Sequence, residues 1–586
     1  MLAQDSLKNV LYIDLSKRKF WIEERPDLFE KWLGGVGVGA ALLEEECPEG
    51  VEPFSPEAPI ILAVGPMVGF YPMASKTAAL FKSPHTGNLG ESHAGGRSAV
   101  SIRLAGLGAI VIKGASDIPI AVNISENKVS FIDARALWGL GVGETGRILR
   151  EKTGKPGARS IFRIGLAGEN LSTFACVVTE TYRHFGRLGL GAVFGSKKLK
   201  ALIITGHKSL PVADKKAYRE CYDKILKQIL ETDSLKKYHD LGTAVNVLSL
   251  NRKRSLPTKN LTQAWFEEAE KISGEYFAEH LLGRRLACAH CPVACIHLAA
   301  LRIPYEDEPY FYKTTFISYD YELIYSLGSM LGVGQAEGIL KILAKVDDLG
   351  LDAISAGVVL AWATEAFEKG LITTKETQGL TPAWGAVEVY LDMLEHLARQ
   401  SNEFYQTLAK GVEYASQKYG GEDFALAFGK NEMPGYHTGY GCHLGFLTGA
   451  RHSHLDSAGY SYDQKLNVPE LGPGKLAELL FEEEAYRQIL SSIIICFFAR
   501  SIYKYEVISE ALKAIGYDFS PEELKALGQK ILRRKYHFKL REGFSFEGLR
   551  IPKRILKTIS PHGQLNEEFL RQGIKTYKEI LLKEEV

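Results

Sequence analysis

Up to about residue 208 the chain alternates short apolar runs with glycine-rich turns, among them "APIILAVG", "GAIVIKG", "IAVNIS", "VSFIDA" and "LKALIITG". Apolar stretches of that length bounded by glycine predict β-strands. The opening "MLAQDSLKNVLYIDLSKRKFWIEE" alternates charged and apolar positions in the manner of a strand pair. From residues 214–241, "DKKAYRECYDKILKQILETDSLKKYHDL", the pattern changes: apolar residues recur every third or fourth position, which predicts amphipathic helices over most of the remaining chain. Glycine, proline and charge interrupt that pattern again near residue 422, in "YGGEDFALAFGKNEMPGYHTG". The expectation is an α+β multidomain protein, with a β-rich domain over 1–208 followed by two mainly α-helical domains over 209–422 and 423–586. A chain of 586 residues exceeds the ~250–300 that one hydrophobic core usually serves.

Composition narrows the class. Net charge is +1 with Lys and Arg spread along the chain, so the basic footprint of a nucleic-acid binder is absent. The longest apolar run, "IIICFFA", is far shorter than the roughly 20 residues that span a bilayer. The charged N-terminus lacks the apolar core of a signal peptide. Eight cysteines in so long a chain are too few for a disulfide framework and point to ligands or buried thiols in a reducing compartment, the cytoplasm.

Three of those cysteines fall in "CAHCPVAC": Cys288, Cys291 and Cys295, at C-x2-C-x3-C spacing. Neighbouring loop thiolates can each ligate a separate iron of a [4Fe–4S] cluster whose fourth ligand comes from elsewhere. A Cys3His zinc site using His290 or His297 fits the spacing equally well. Spacing does not choose a fourth partner from Cys47, Cys176, Cys221, Cys442 and Cys496. Of the glycine-rich turns, "GLGAVFG" alone is a strand-to-helix turn, and the acids of "DDLGLD" (347–352) alone read as helix-end residues around Gly350.

Taken in order, "WLGGVGVGAALL", "AVGPMVG", "FKSPHTG", "AGGRSA", "LAGENL", "GRLGLGAVFGSKKLKAL", "CPVAC" and "DDLGLD" resemble segments of the tungsten-containing aldehyde:ferredoxin oxidoreductase family, over nearly the whole chain. The resemblance implies a tungsten or molybdenum ion held by two pterin cofactors bound to the N-terminal domain. It also implies a [4Fe–4S] cluster on Cys288, Cys291, Cys295 and Cys496, the last ending "SSIIIC" where the family has "DxxGLC". Here Ser491 stands in place of an acidic residue and Ile494 in place of glycine. Soft sulfur ligands supplied by the cofactor suit a high-valent metal, leaving the protein to hold polar, phosphorylated pterins. By the same resemblance the cofactor-binding residues are Lys76, His93, Ala94, Gly95, Gly96, Arg97, Arg183, His184, Gly186, Asp347, Gly350, Leu351, Asp352 and Ile495. Carbonyls of His93 and His184 would meet a magnesium ion bridging the pterin phosphates. Lys76 replaces the more usual arginine, keeping charge but losing the bidentate fork.

"SYDYELIYSLGS" (318–329) resembles the family's "PEYE" stretch and makes Glu322 the carboxylate near the metal. "TGARHSHLDSAGYS" (448–461) resembles the region supplying a histidine, for which His454 aligns best, with His452 and His443 as alternatives. The implied activity is oxidation of an aldehyde to a carboxylic acid, with electrons leaving through the cluster to ferredoxin or an iron–sulfur partner subunit, in a homo- or hetero-oligomer. The alternatives are a reductive enzyme of the same family acting on an aromatic thioester, a non-catalytic iron–sulfur carrier, and a zinc-bound structural protein.

Overall fold

The computed structural model of the chain describes residues 5–126, 128–153, 159–212, 214–308 and 310–583. They group into two compact units. One takes in the N-terminal residues to Leu235 together with Cys288–Pro292 and Phe481–Ser545; the other takes in Lys236–Ala287, Val293–Leu480 and the residues from Phe546 onward.

The first unit holds two six-stranded sheets. Its first sheet comprises β1 (Asn9–Asp14), β2 (Lys19–Glu24), β3 (Ile60–Ala63), β4 (Thr77–Lys82), β5 (Leu89–Ala94) and β6 (Ala109–Lys113), in the order β2-β1-β6-β3-β4-β5. The predicted N-terminal strand pair is present, β1 and β2 running antiparallel from Asn9 opposite Glu24 to Asp14 opposite Lys19. β2 is exposed along its length and carries charges, which blunts the sheet edge, whereas β3 and β4 are buried at every position. The second sheet comprises β7 (Ile120–Ser125), β8 (Lys128–Asp133), β9 (Arg159–Arg163), β10 (Val177–Thr179), β11 (Arg183–Phe185) and β12 (Leu199–Thr205), ordered β11-β10-β9-β12-β7-β8. All five apolar runs read as strands are strands, namely β3, β6, β7, β8 and β12.

The glycines of "WLGGVGVG" and "AVGPMVG" serve close approach. A Cβ on Gly35 would lie 2.2 Å from the Ser491 carbonyl oxygen, and one on Gly65 2.3 Å from that of Ser492. Only glycine lets the C-terminal end of the helix Pro473–Ile493 come this near.

Helices dominate the second unit, as the periodicity predicts. The helix Ala353–Glu368, apolar on nearly all sides, is buried through Ala366. One element departs from the pattern: β13 (Leu282–Leu286), β14 (Ile296–Pro304) and β15 (Tyr312–Tyr319) form an antiparallel sheet within the region read as helical. β-branched and aromatic residues in "YKTTFISY" favour the pleated surface. Among the described residues no helix is long and apolar enough to cross a membrane.

"DDLGLD" and "SSIIIC" end their helices in the same way. After Ala336–Leu349, Gly350 adopts φ 75° and the Leu351 N–H donates to the Val346 carbonyl at 3.0 Å. After Pro473–Ile493, Ile494 adopts φ 67° and the Ile495 N–H donates to the Leu490 carbonyl at 2.8 Å. This is the left-handed helix terminus that glycine normally provides, occupied in the second case by a fully buried β-branched residue. Ile494→Ala and Ile494→Gly both lose the buried side chain, but only alanine keeps the left-handed penalty of about 1–2 kcal/mol. The glycine variant is therefore expected to be the more stable, by about 1 kcal/mol, reversing the usual preference. Urea midpoints read this; an alanine variant as stable as the glycine one would refute the strain.

Candidate active site and cofactor cradle

The eight cysteines are all free thiols and divide by environment. Cys47, Cys176, Cys221 and Cys442 are buried, while Cys288, Cys291, Cys295 and Cys496 are partly exposed. Burial pushes the Cys47 thiol up to about 11 and raises those of Cys221 and Cys442, so these three are held protonated and are poor ligands. Cys442 donates instead to the Gly439 carbonyl.

Backbone hydrogen bonds stitch the cysteine loop to the C-terminal cysteine within the first unit. The Cys291 N–H donates to the Cys288 carbonyl at 3.2 Å, and the Ala289 N–H to the Gly96 carbonyl at 2.9 Å. Met73 joins the two segments: its N–H donates to the His290 carbonyl at 2.9 Å, and its own carbonyl accepts from the Cys496 N–H at 3.0 Å. Ala74 and Ile495 form an antiparallel bridge beside it. The Cys288 sulfur fills the space a side chain at Gly95 would need, 2.9 Å from that Cβ position. Cys295 ends the same loop in sequence and immediately precedes β14.

No three His, Cys, Asp or Glu side chains among the described residues converge on a single-ion site. A four-iron cluster asks for a wider arrangement, because each thiolate binds its own iron. His297 is engaged elsewhere, its Nε2 bonded at 2.9 Å to the His239 carbonyl, and burial lowers its pKa.

The glycine-rich turns lie at the meeting of β5 and β11. Arg183 lies against Gly95 and Gly96, its Nε 3.8 Å from the Cβ position of Gly95 and its Cγ 3.4 Å from that of Gly96. That Nε is buried without a hydrogen-bond partner among the described residues, a costly state unless an acceptor is supplied. Nothing lies within 4 Å of a Cβ built on Gly186. An unsatisfied guanidinium nitrogen over a bare glycine turn is the donor set that an anionic phosphate requires, so these residues fit a phosphorylated cofactor. His93 bonds Glu91 at 2.9 Å, and buried Lys535 holds the other Glu91 oxygen at 2.6 Å. Arg97 pairs with Glu180 at 3.1 Å. His184 stands beside Arg183 in β11, and Ala94 ends β5. Lys76 lies 5.1 Å over the Phe497 ring, whose centroid is 5.0 Å from the Arg487 guanidinium.

In the second unit, Asp347 is half-buried in the last turn of its helix, where the helix dipole disfavours an anion. Leu351 is buried, and the Asp352 carboxylate caps the next helix by accepting from the Ile354 and Ser355 N–H groups at 3.1 and 3.3 Å.

Glu322 and His454 come together in this unit, His454 Nδ1 lying 3.5 Å from Glu322 Oε1. Asp320 caps the helix Tyr321–Leu327 and places Glu322 in its first turn, where the dipole favours a carboxylate. The Gly435 N–H donates to Glu322 Oε2 at 3.0 Å. Tyrosines wall the pair: Tyr436 stacks on Tyr460 at 4.1 Å and lies 5.6 Å from His454 and 5.2 Å from Tyr321. Burial, then the Tyr460 phenol and the Glu322 charge, push the Tyr436 pKa well above 10, so it remains a phenol.

Of the alternative histidines, His452 gives its Nδ1 to a bond with the Phe446 carbonyl at 2.9 Å. His443 packs against Phe428 and Phe446 and bonds His437 at 2.8 Å, and burial holds both histidine rings neutral. Sequence reasoning did not single out Met73, Gly435, Tyr436 or Tyr460. Met73 and Gly435 act through the backbone and leave no side-chain signature, and the tyrosines meet Glu322 only through folding.

A β-rich region with an anion cradle and a backbone-clasped thiol loop, followed by a helical region with an enclosed acid–histidine pair, defines a cofactor-dependent oxidoreductase of mixed architecture. Two family descriptions match the chain: "Aldehyde ferredoxin oxidoreductase, N-terminal domain" over residues 10–206 and "Aldehyde ferredoxin oxidoreductase, domains 2 & 3" over residues 220–582. The chain belongs to the aldehyde ferredoxin oxidoreductase family. It is 32% identical over 572 residues to the tungsten-containing aldehyde ferredoxin oxidoreductase of Pyrococcus furiosus, covering 94% of this chain and 91% of that one. The protein of the same name from Thermococcus kodakarensis is 32% identical over 575 residues, covering 94% and 92%. The aliphatic sulfonate oxidoreductase WOR-like subunit of Pyrococcus furiosus is 28% identical over 557 residues, covering 89% and 84%. In fold the chain also matches a solved structure described as the active site complex BamBC of benzoyl coenzyme A reductase with 1,5 dienoyl-CoA. That match has a TM-score of 0.82 at 22% identity over 98% of this chain and 94% of the other.

Proposed function

We propose that this protein oxidises aldehydes to carboxylic acids, using a tungsten or molybdenum ion carried by two pterins, with Glu322 and His454 at the reacting carbon. The observation that carries the reading is the Glu322–His454 pair, 3.5 Å apart and walled by tyrosines, in a chain whose relatives are named tungsten-containing aldehyde ferredoxin oxidoreductases.

When bound, the metal centre supplies two-electron redox chemistry and polarises the carbonyl oxygen. The remaining work falls to the chain. Glu322, whose Oε2 accepts from the Gly435 N–H and which lies in the first turn of its helix, accepts a proton from the water that adds to the carbonyl carbon. His454 holds or donates a hydrogen bond beside it, and the tyrosines exclude bulk water. The overall balance is aldehyde plus water to carboxylic acid, two electrons and two protons. Cys288, Cys291, Cys295 and Cys496 would hold a [4Fe–4S] cluster, which would supply one-electron transfer towards ferredoxin or an iron–sulfur partner subunit. The turns 93–97 and 183–186, with Lys76, Asp347, Gly350, Leu351, Asp352 and Ile495, would hold the pterins, and carbonyls of His93 and His184 would be ligands to a magnesium ion. Reduction of an aromatic thioester has support in fold alone, so aldehyde oxidation is favoured.

Anaerobic purification with metal, iron and pterin analysis, followed by an aldehyde panel with a viologen acceptor, tests this. Tungsten or molybdenum with pterin and aldehyde-dependent viologen reduction are expected. Iron without either metal would make the protein a carrier, and a loaded enzyme inert to every aldehyde would remove the proposed substrate. Arg183→Ala is expected to lower pterin and tungsten or molybdenum together, by several-fold, while iron per chain stays unchanged. Full occupancy in that variant would show that the buried Nε needs no phosphate.

A further inference from the structure

Lys259, Asn260 and Leu261 take left-handed φ values of 45°, 54° and 55° in succession. Residues with a side chain adopt that conformation singly and at a cost, and such strain collects where a ligand is clamped. Side chains hold the turn. Arg554 Nη1 donates to the Asn260 carbonyl at 3.3 Å and Thr558 Oγ1 to the Leu261 carbonyl at 2.7 Å. The buried Asn260 side chain donates in turn to Glu365 at 2.8 Å. Arg554 and Thr558 also line a cleft of about 700 Å³ in the second unit, a volume that suits a small organic ligand.

The donors in this cleft suit an anion. Arg554, with its side chain only 13% exposed, makes two hydrogen bonds among the described residues, to the Asn260 carbonyl and to the buried Glu365 carboxylate. A guanidinium carries five donors, so three are left for an oxyanion. Lys557, one turn along the helix Lys553–Lys557 on the same face, lines the cleft too, as does Lys369. Glu365 is shared between Arg554 and Lys369, the latter 3.6 Å away, and Asp423 between Lys553 at 2.9 Å and Lys557 at 3.8 Å. With Glu422, also in the lining, three acids face four cations, and positive charge is in excess. Gly420 and Gly421 follow the helix Val412–Tyr419 with φ 88° and 81°, and the N–H groups of Gly421, Glu422 and Asp423 make no hydrogen bond among the described residues. Successive amides left open by such a turn add to an anion-binding concavity. Beside these donors lie Phe424 and the 41% exposed Leu371, a surface for an uncharged group.

We propose that this cleft binds a small phosphorylated organic molecule, its phosphate held by Arg554, Lys369 and Lys557 with the 421–423 amides, and its organic part resting on Leu371 and Phe424. A tetrahedral phosphate offers acceptors in several directions, as donors from three separate segments require, whereas a planar carboxylate matches the guanidinium fork alone. None of these residues takes part in the cofactor cradle or the Glu322–His454 pair, so the inference stands whatever the enzyme oxidises.

Calorimetric titration of the cofactor-loaded enzyme with phenyl phosphate, inorganic phosphate and benzoate tests this. Phenyl phosphate is expected to bind with a dissociation constant of about 0.1 mM, and the other two roughly tenfold or more weakly. One of them lacks the organic part and the other the tetrahedral anion. Lys369→Gln with Lys557→Gln, at side chains 52% and 68% exposed, is expected to weaken phenyl phosphate by roughly tenfold or more while the thermal midpoint and iron content stay unchanged. Arg554→Lys keeps the charge beside Glu365 but not the fork, and is expected to weaken it several-fold. No binding of phenyl phosphate up to about 10 mM, binding that the lysine and arginine changes leave intact, or inorganic phosphate or benzoate as tight as the phenyl ester would each overturn the proposal.

Discussion

Glu322→Gln is expected to lower aldehyde-dependent viologen reduction by about 10²–10⁴-fold per bound metal, the usual contribution of a positioned general base. Tungsten or molybdenum, pterin and iron contents are expected to match the wild type. The substitution keeps side-chain size, and an amide oxygen can still accept from the Gly435 N–H that lies 3.0 Å from Oε2. What is lost is the charge and the ability to take a proton from water. His454→Asn retains a hydrogen-bonding group but not the imidazole 3.5 Å from Glu322, and a smaller loss is expected. Changes at His443, enclosed by Phe428 and Phe446, are expected to alter stability rather than turnover. Near-normal turnover by the glutamine enzyme would remove this carboxylate from the mechanism.

Cys496→Ser is expected to cost the protein most of its iron and its reduced-cluster EPR signal. Cys442→Ser is expected to leave both in place. The contrast rests on environment: Cys496 is partly exposed and its N–H is tied to Met73, which also holds the cysteine loop, whereas Cys442 is fully buried and donates to a carbonyl. A serine oxygen is a harder donor than the soft thiolate an iron–sulfur cluster prefers. Equal iron in the two variants would break the four-cysteine assignment.

Much of the fold was legible because local patterns and tertiary structure agree. The short apolar runs flanked by glycine became buried strands, and the three-to-four periodicity became helices. The exception, β14 and β15, joins residues whose pairing partners are up to about two dozen positions away, which no short window displays. The candidate site was legible from residue chemistry only in the spacing of Cys288, Cys291 and Cys295; Glu322 and His454 were singled out through the family resemblance alone, and the structure sets them 3.5 Å apart. It was not legible where it uses the backbone of Met73 and Gly435, or where folding brings Tyr436 and Tyr460 from separate segments to the acid–histidine pair. Ile494 was visible as an oddity of sequence, and only its left-handed backbone shows what the substitution demands.

The clasp at Met73 also bears on how the protein is made. Its N–H meets a residue more than two hundred positions downstream, and its carbonyl meets one about four hundred positions downstream. At roughly 5–20 residues per second of synthesis, the sheet carrying Met73 leaves the ribosome about 20–80 s before Cys496 does. Through that interval Cys288 and Cys291 emerge before Cys496, and the first unit lacks its last segment, Phe481–Ser545. On the proposed four-cysteine assignment, cluster insertion would be deferred until translation is nearly complete, and a ribosome stalled before Cys496 would display a nascent chain that binds little iron.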